Sequence, residues 1–349
     1  MRLFFSFRRA LNRQERYKKK EDLCVPMFLI ISPTAKCNLS CKGCYSKSYS
    51  RDGEISTEQL DKLVLEAKEM GTFFYVIAGG EPLLRKDLFE LYSKHRDVVF
   101  LVFTNGMLID KGIAEGLSRM VNVATIISIE GFQRETDDRR GTRVYERVLN
   151  AMKILRRYDL FFGFSTTVSR LNIDAVIMNE FLEDMIRNGC RMGTYVDYIP
   201  CDGKNEFVMT PEERVMLRNK ILEWQKIKGL LLFQLPEDEY MLAGKCLSAG
   251  NGFLHITSQG YVEPCPFVHY AAENIKDSSS FREILRSSFL RALREKESVF
   301  SGGELGCGLF ENLSEISRIA GEHNAVNTIS QFKANEDGLP PKNQSSLPE

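Results

Sequence analysis

The chain has 349 residues, 43% of them apolar, with 47 basic and 47 acidic side chains. It can therefore bury a large core, and it carries no net charge that would draw it toward nucleic acid or acidic partners. Nine cysteines without a secretory signal point to a reducing, cytoplasmic setting, where thiols serve as metal ligands, redox centres or core residues more often than as disulfides. No window approaches the roughly 20 apolar residues of a membrane-spanning helix.

Residues 1–26 read as a basic arm, with Phe4, Phe5, Phe7 and Leu11 set among Arg8, Arg9, Arg13, Arg16 and Lys18 to Lys20. Such a pattern suits contact with an anionic membrane or a partner, or else a short helix leaning on the rest of the chain; the second is the simpler expectation. From residue 27 an alternation begins. Six apolar runs of strand length (MFLIIS, FFYVIAG, VVFLVFT, VATIISIE, LFFGFSTTV, MGTYVDYI) are each followed by a segment with helical apolar spacing, such as LDKLVLEAKEM or VYERVLNAMKILRRY. Ser56 with Gln59, and Thr210 with Pro211 and Glu213, mark helix starts.

This rhythm predicts an α/β fold, a partial (β/α)6 barrel of parallel strands over 27–235, with chemistry at the strands' C-terminal ends. A boundary falls within 229–245. Residues 236–332 predict a small α+β extension, with a β-hairpin in GFLHITSQGYVEPC turning at Ser258-Gln259-Gly260 and two helical segments after it. The polar, Pro-rich residues 333–349 read as a disordered tail.

The densest chemistry lies just after the first strand, where CNLSCKGCY places Cys37, Cys41 and Cys44 in one loop. Structural zinc calls for four closed ligands, often as two Cys-x-x-Cys pairs, and no histidine stands near this loop in sequence. Three thiolates suit a cubane [4Fe–4S] cluster better, because they hold three irons and leave the fourth for a non-protein ligand. The expected place of that loop, at the mouth of the barrel, is where an active site belongs.

On these residues the sequence resembles the radical S-adenosylmethionine (radical SAM) enzymes, whose hallmark is the Cys-x-x-x-Cys-x-x-Cys loop. Other motifs follow in the family's order: Gly79-Gly80-Glu81-Pro82 after the second strand, Thr104-Asn105-Gly106 after the third, and Ser128-Ile129-Glu130-Gly131 after the fourth. Arg140-Gly141 comes next, then Ser165-Thr166-Thr167 with Asn172. The resemblance implies that Cys37, Cys41 and Cys44 hold a catalytic [4Fe–4S] cluster whose open iron chelates SAM, and that an electron from it releases a 5′-deoxyadenosyl radical. It implies that Gly79 and Gly80 let backbone approach the ligand, that Glu81 receives the SAM ammonium, and that Asn105, Ser128 and Arg140 contact its ribose or carboxylate. The family often has an aromatic just before the third cysteine; this chain has Gly43 there and Tyr45 after it.

Cys246, then Gly260-x-x-x-x-Cys265, and later Cys307 resemble a shortened form of the family's SPASM extension, called twitch. The likeness implies one auxiliary [4Fe–4S] cluster on Cys246, Cys265 and Cys307. Its fourth ligand is left open between Cys201, His269, Glu311 and the substrate itself. Cys24 and Cys190 are assigned to packing. The whole resemblance runs from residue 27 to about 315.

The implied activity is hydrogen abstraction from an unidentified substrate, with a ferredoxin or flavodoxin as low-potential electron donor. A small molecule or cofactor precursor is preferred over a ribosomal peptide, because about 25 residues precede the first strand, too few for a leader-binding domain. A maturase with a separate leader-binding partner, and a non-catalytic iron–sulfur protein, are the alternatives.

Overall fold

The computed structural model describes residues 2–226, 230–300 and 306–329, so the expected tail at 333–349 lies outside the described residues. One sheet organises the molecule. Its strands are β1 (Phe28–Ile31), β2 (Phe74–Ile77), β3 (Val99–Thr104), β4 (Val123–Ser128), β5 (Phe162–Val168), β6 (Met192–Asp197), β7 (Leu231–Leu235), β8 (Phe253–Ile256) and β9 (Val262–Glu263). They lie in the order β7-β6-β5-β4-β3-β2-β1-β8-β9, parallel throughout except for the β8–β9 hairpin. The six strands expected from the apolar runs are adjacent and in sequence order, as consecutive right-handed crossovers produce.

Three further strands extend this half-barrel. β7 lengthens one edge, parallel to β6, with Leu231 and Phe233 exposed as an edge strand permits. The hairpin closes onto the other edge: β8 pairs with β1 in register, Leu29 opposite Leu254 and Ile31 opposite Ile256. The extension is therefore built into the barrel's own sheet. Its helices share an apolar cluster with the barrel, in which Phe281, Phe289 and Ile316 meet Leu29, Leu60 and Phe100. Fully burying side chains of this size is worth roughly 1.5–3 kcal/mol each.

A buried polar network pins the joint. Ser32 Oγ lies 2.8 Å from His255 Nε2, His255 Nδ1 lies 2.7 Å from Glu263 Oε2, and Tyr49 donates to the same carboxylate at 2.6 Å. Glu263 is wholly buried. Burial raises its pKa, but hydrogen bonds from His255 and His269 outweigh this and hold the carboxyl below its ordinary value.

The basic N-terminal segment is the helix Arg2–Glu21, and it leans on the barrel. Ala10 is buried, and the Phe7 ring packs edge-on against Phe73 at 5.3 Å. At its far end Glu21 pairs with Arg286 of the extension at 3.1 Å. Phe4 and Phe5 remain exposed.

Candidate active site

The cysteine loop leaves β1 at the C-terminal end of the sheet and is fixed to its neighbours on both sides. The Thr34 hydroxyl and Ala35 N–H donate to Glu54, while Arg85 donates to the carbonyls of Pro33 and Ile55. From the β2 loop, Gly80 N–H donates to Thr34 O and Glu81 N–H to Lys36 O, both at 2.8 Å. This contact requires glycine: a Cβ on Gly80 would sit 2.1 Å from Lys36 O, and Gly79, at φ +91°, would drive one into Ser32. The glycines thus let the β2 loop lie directly against the strand of chain that carries Cys37.

Cys37, Cys41 and Cys44 all line one cavity of about 230 Å³, together with Gly79, Gly80, Asn105, Ser128, Arg139, Arg140, Ser165 and Thr167. None of the three is in a disulfide. Burial pushes the Cys37 and Cys41 thiols up; the Leu39 amide at Cys37 and the Arg140 guanidinium at Cys41 pull the other way. Asn105 donates to Asn38 at 2.7 Å and lies 3.8 Å from Cys37 Sγ, so its amide stands beside the thiol. Ser128, at the tip of β4, is on the cavity wall.

Glu81 stands behind the cavity lining. Its side chain is wholly buried, and its carboxylate accepts from Leu83 N–H at 3.0 Å, the Thr104 hydroxyl at 2.7 Å and Asn105 N–H at 2.8 Å. Burial raises its pKa against those three donors. The group braces the β2 and β3 loops, and Gly79 and Gly80 beside it line the cavity.

Arg140 reaches the cavity from the end of the helix Gln133–Arg140. Burial works against its charge, but the Glu130 carboxylate and nearby thiols hold it above its ordinary value. Arg139 binds the same Glu130 oxygen, and the Lys42 N–H donates to Arg139 O at 2.9 Å, tying the cysteine loop to this helix. Asn172 lies off the cavity, donating to Glu130 O and Thr167 O. Tyr45 accepts from Gly79 N–H at 3.1 Å and meets Phe267 of the extension edge-on at 5.9 Å, so the extension supplies part of the wall.

Sequence reasoning passed over two residues. Glu130 sat inside a recognised motif, yet its role as shared counter-ion depends on an arginine pair ten residues away. Asp197, at the end of β6, lines the cavity; burial pushes its carboxyl up to about 7, and Gln234 donates to it at 3.5 Å. A charged residue closing an apolar strand, MGTYVDYI, was its signal.

The second group of cysteines gathers around the hairpin. Cys265 and Cys307 are buried in an apolar cluster against which Cys201 and Cys246 pack. Burial, reinforced by neighbouring thiols or carboxylates, pushes Cys246 up to about 11 and Cys201 and Cys307 up to about 12. His269 turns its Nδ1 to the Tyr49 hydroxyl at 2.8 Å, and Cys190 packs in the other core.

Among the described residues, no three His, Cys, Asp or Glu side chains converge on a single metal ion. A mononuclear zinc site needs such convergence, with donors 2.0–2.3 Å from one point. A cubane does not, since each thiolate holds its own iron at a separate corner. Three free thiols lining one cavity together with two arginines fit a cluster with an open iron.

Comparison with known proteins agrees. Residues 31–184 match the model of the radical SAM superfamily, and residues 246–304 match an iron–sulfur cluster-binding domain. The chain is 27% identical to an AdoMet-dependent heme synthase of Methanosarcina barkeri, over 78% of this chain and 86% of that protein. It is 30% identical to the mycofactocin maturase MftC of Mycolicibacterium smegmatis, over 84% of this chain and 78% of the relative. Among solved structures, Streptococcus suis SuiB bound to S-adenosylmethionine superposes with a TM-score of 0.68 at 17% identity, covering 86% of this chain and 75% of SuiB. An anSMEcpe structure with bound AdoMet gives 0.62 at 19% identity, covering 88% and 97%.

Proposed function

Because the chain belongs to the radical SAM superfamily, we propose that Cys37, Cys41 and Cys44 hold its catalytic cluster and that it abstracts hydrogen from a small-molecule substrate in the cavity they line. The superfamily's cofactors are a [4Fe–4S] cluster and SAM, and the matched iron–sulfur domain brings auxiliary cluster binding, here on Cys246, Cys265 and Cys307. When bound, cluster and SAM supply a 5′-deoxyadenosyl radical. The observation that carries this reading is the convergence of three free thiols, two backbone glycines and Arg140 on one cavity.

The chain's residues have separable tasks in it. Arg139 and Arg140 place positive charge behind the thiols, which favours their anionic, iron-binding form. Arg140 takes the SAM carboxylate, oriented by Glu130; Asn105 and Ser128 meet the rest of SAM. Tyr45 and Phe267 shield the cavity from water, which a reactive radical requires.

Two relatives divide on substrate. The heme synthase supports a small molecule, while the mycofactocin maturase, whose identity is 30% against 27%, supports a peptide delivered by a partner. No helix among the described residues is long and apolar enough to cross a membrane. We place the enzyme in the cytoplasm, served by a ferredoxin or flavodoxin.

The test is anaerobic reconstitution with iron and sulfide, followed by dithionite and SAM. About eight irons per chain and formation of 5′-deoxyadenosine are expected. A cluster-loaded protein that releases no 5′-deoxyadenosine, with or without tetrapyrrole or peptide candidates, contradicts the reading. Stimulation by one candidate class decides the substrate.

A further inference from the structure

Three cysteines of the extension leave one iron of the auxiliary cluster without a protein ligand. The barrel carries a free thiol at Cys201. It lies four residues beyond the end of β6, in the segment whose Tyr198 and Ile199 line the active-site cavity, and its N–H donates to Ile199 O at 2.8 Å. Cys201 packs against the same apolar cluster as Cys246, and that cluster contains Cys265, Cys307 and Ile199. Ile199 and Phe267, each two residues from Cys201 and Cys265 respectively, line the same cavity, which brings the two segments together.

We propose that Cys201 is the fourth thiolate of the auxiliary cluster, so that three ligands come from the extension and one from the end of barrel strand β6. The inference rests on the two-cluster reading above and deepens it.

Another side chain competes. Glu239, on the helix Glu237–Ala243, accepts from Leu247 N–H at 3.1 Å, beside Cys246, and its charge bears on Cys246, Cys265 and Cys307. One of its oxygens is already engaged, and iron–sulfur clusters select soft thiolate over carboxylate. His269 is directed toward Tyr49 and Glu263. The barrel thiol is thus the better match in chemistry.

Four thiolates close the cluster. No iron is then open to a substrate atom, which leaves the cluster to pass electrons, and the substrate needs no metal-binding group. Only Pro200 separates the ligand from Ile199 on the cavity wall, so the path from substrate to cluster is short.

The experiment uses full-length Cys37→Ala/Cys41→Ala/Cys44→Ala protein, reconstituted anaerobically so that only the auxiliary cluster forms. Iron content and the EPR spectrum of the dithionite-reduced protein are compared with Cys201→Ala and Glu239→Gln added, each with and without cyanide as an external ligand. The parent should hold about four irons, give a spectrum indifferent to cyanide, and be matched by Glu239→Gln. Cys201→Ala should either lose half or more of the iron, or keep it with a spectrum that cyanide shifts and a three-iron signal on mild oxidation. A Cys201→Ala protein matching the parent in iron, spectrum and cyanide response overturns the assignment, as does a cyanide response in Glu239→Gln alone. A parent without iron, beside a wild type holding only about four, refutes the auxiliary cluster itself and the assignment with it. Should the triple variant not fold, Mössbauer spectra of wild type and Cys201→Ala make the same comparison: one iron site losing its all-sulfur signature supports the proposal, and identical spectra refute it.

Discussion

Arg140 Nε lies 2.7 Å from Oε1 of Glu130, a carboxylate with no solvent exposure that also binds Arg139. Breaking a buried pair by removing one partner costs about 3–5 kcal/mol, because the other charge is left without compensation. Glu130→Gln should lower the melting temperature. It should also weaken SAM binding about tenfold, roughly 1.4 kcal/mol, by releasing Arg140 from its orientation. Equilibrium dialysis of SAM against reconstituted protein checks this, and an unchanged Kd would show that Arg140 does not reach the ligand.

Gly80→Ala introduces a Cβ 2.1 Å from the carbonyl of Lys36, the residue before Cys37. Backbone on both sides prevents relief by a rotamer change, so the cysteine loop must move. The expected result is about four irons per chain in place of about eight, with little 5′-deoxyadenosine formed. A variant with full iron and normal SAM cleavage would contradict the contact.

Cys41→Ala and Cys265→Ala should separate the two sites. The first should abolish SAM cleavage while circular dichroism reports a folded barrel. The second should remove the auxiliary iron while substrate-independent cleavage persists. Retained cleavage in the first, or unchanged iron in the second, contradicts the corresponding ligand set.

Asp197 makes stability depend on pH. Its carboxyl is held up at about 7 against an ordinary value of 3.8, chiefly by burial. Below pH 4 the folded and unfolded chains both keep its proton, and it has no effect. Between about 4 and 7 the unfolded chain ionises first, so stability falls as pH rises, and above 7 the loss is constant. Asp197→Asn should therefore raise the melting temperature at pH 8 and change it little at pH 4.5, with a ceiling of about 4 kcal/mol from roughly 1.4 kcal/mol per pH decade. Equal changes at both pH values would show that the folded protein does not hold Asp197 neutral.

The parts of this architecture legible in the sequence are those written in local pattern. Runs such as VVFLVFT announce buried parallel strands by composition alone, and the cysteine spacing is confined to eight positions. The parts that escaped depend on pairing across long separations. β8 reads as half of a hairpin, and nothing near Phe253 indicates that it also bonds to Phe28, more than two hundred residues earlier. LLFQL, with exposed Leu231 and Phe233, carries no core signal strong enough to mark a seventh barrel strand. The partners of Glu81 were hidden because a carboxylate in a glycine loop looks free in sequence, whereas its three donors come from Leu83 and from the end of β3.

The register of β8 against β1 has a mechanical meaning. The loop bearing Cys37, Cys41 and Cys44 springs from one of these strands, and the turn leading to Cys265 from the other, so both iron-binding regions are mounted on a single hydrogen-bonded plank. The separation between the two regions is thereby fixed by the hydrogen-bonded register of the sheet, as the length of a bridge is fixed by its deck.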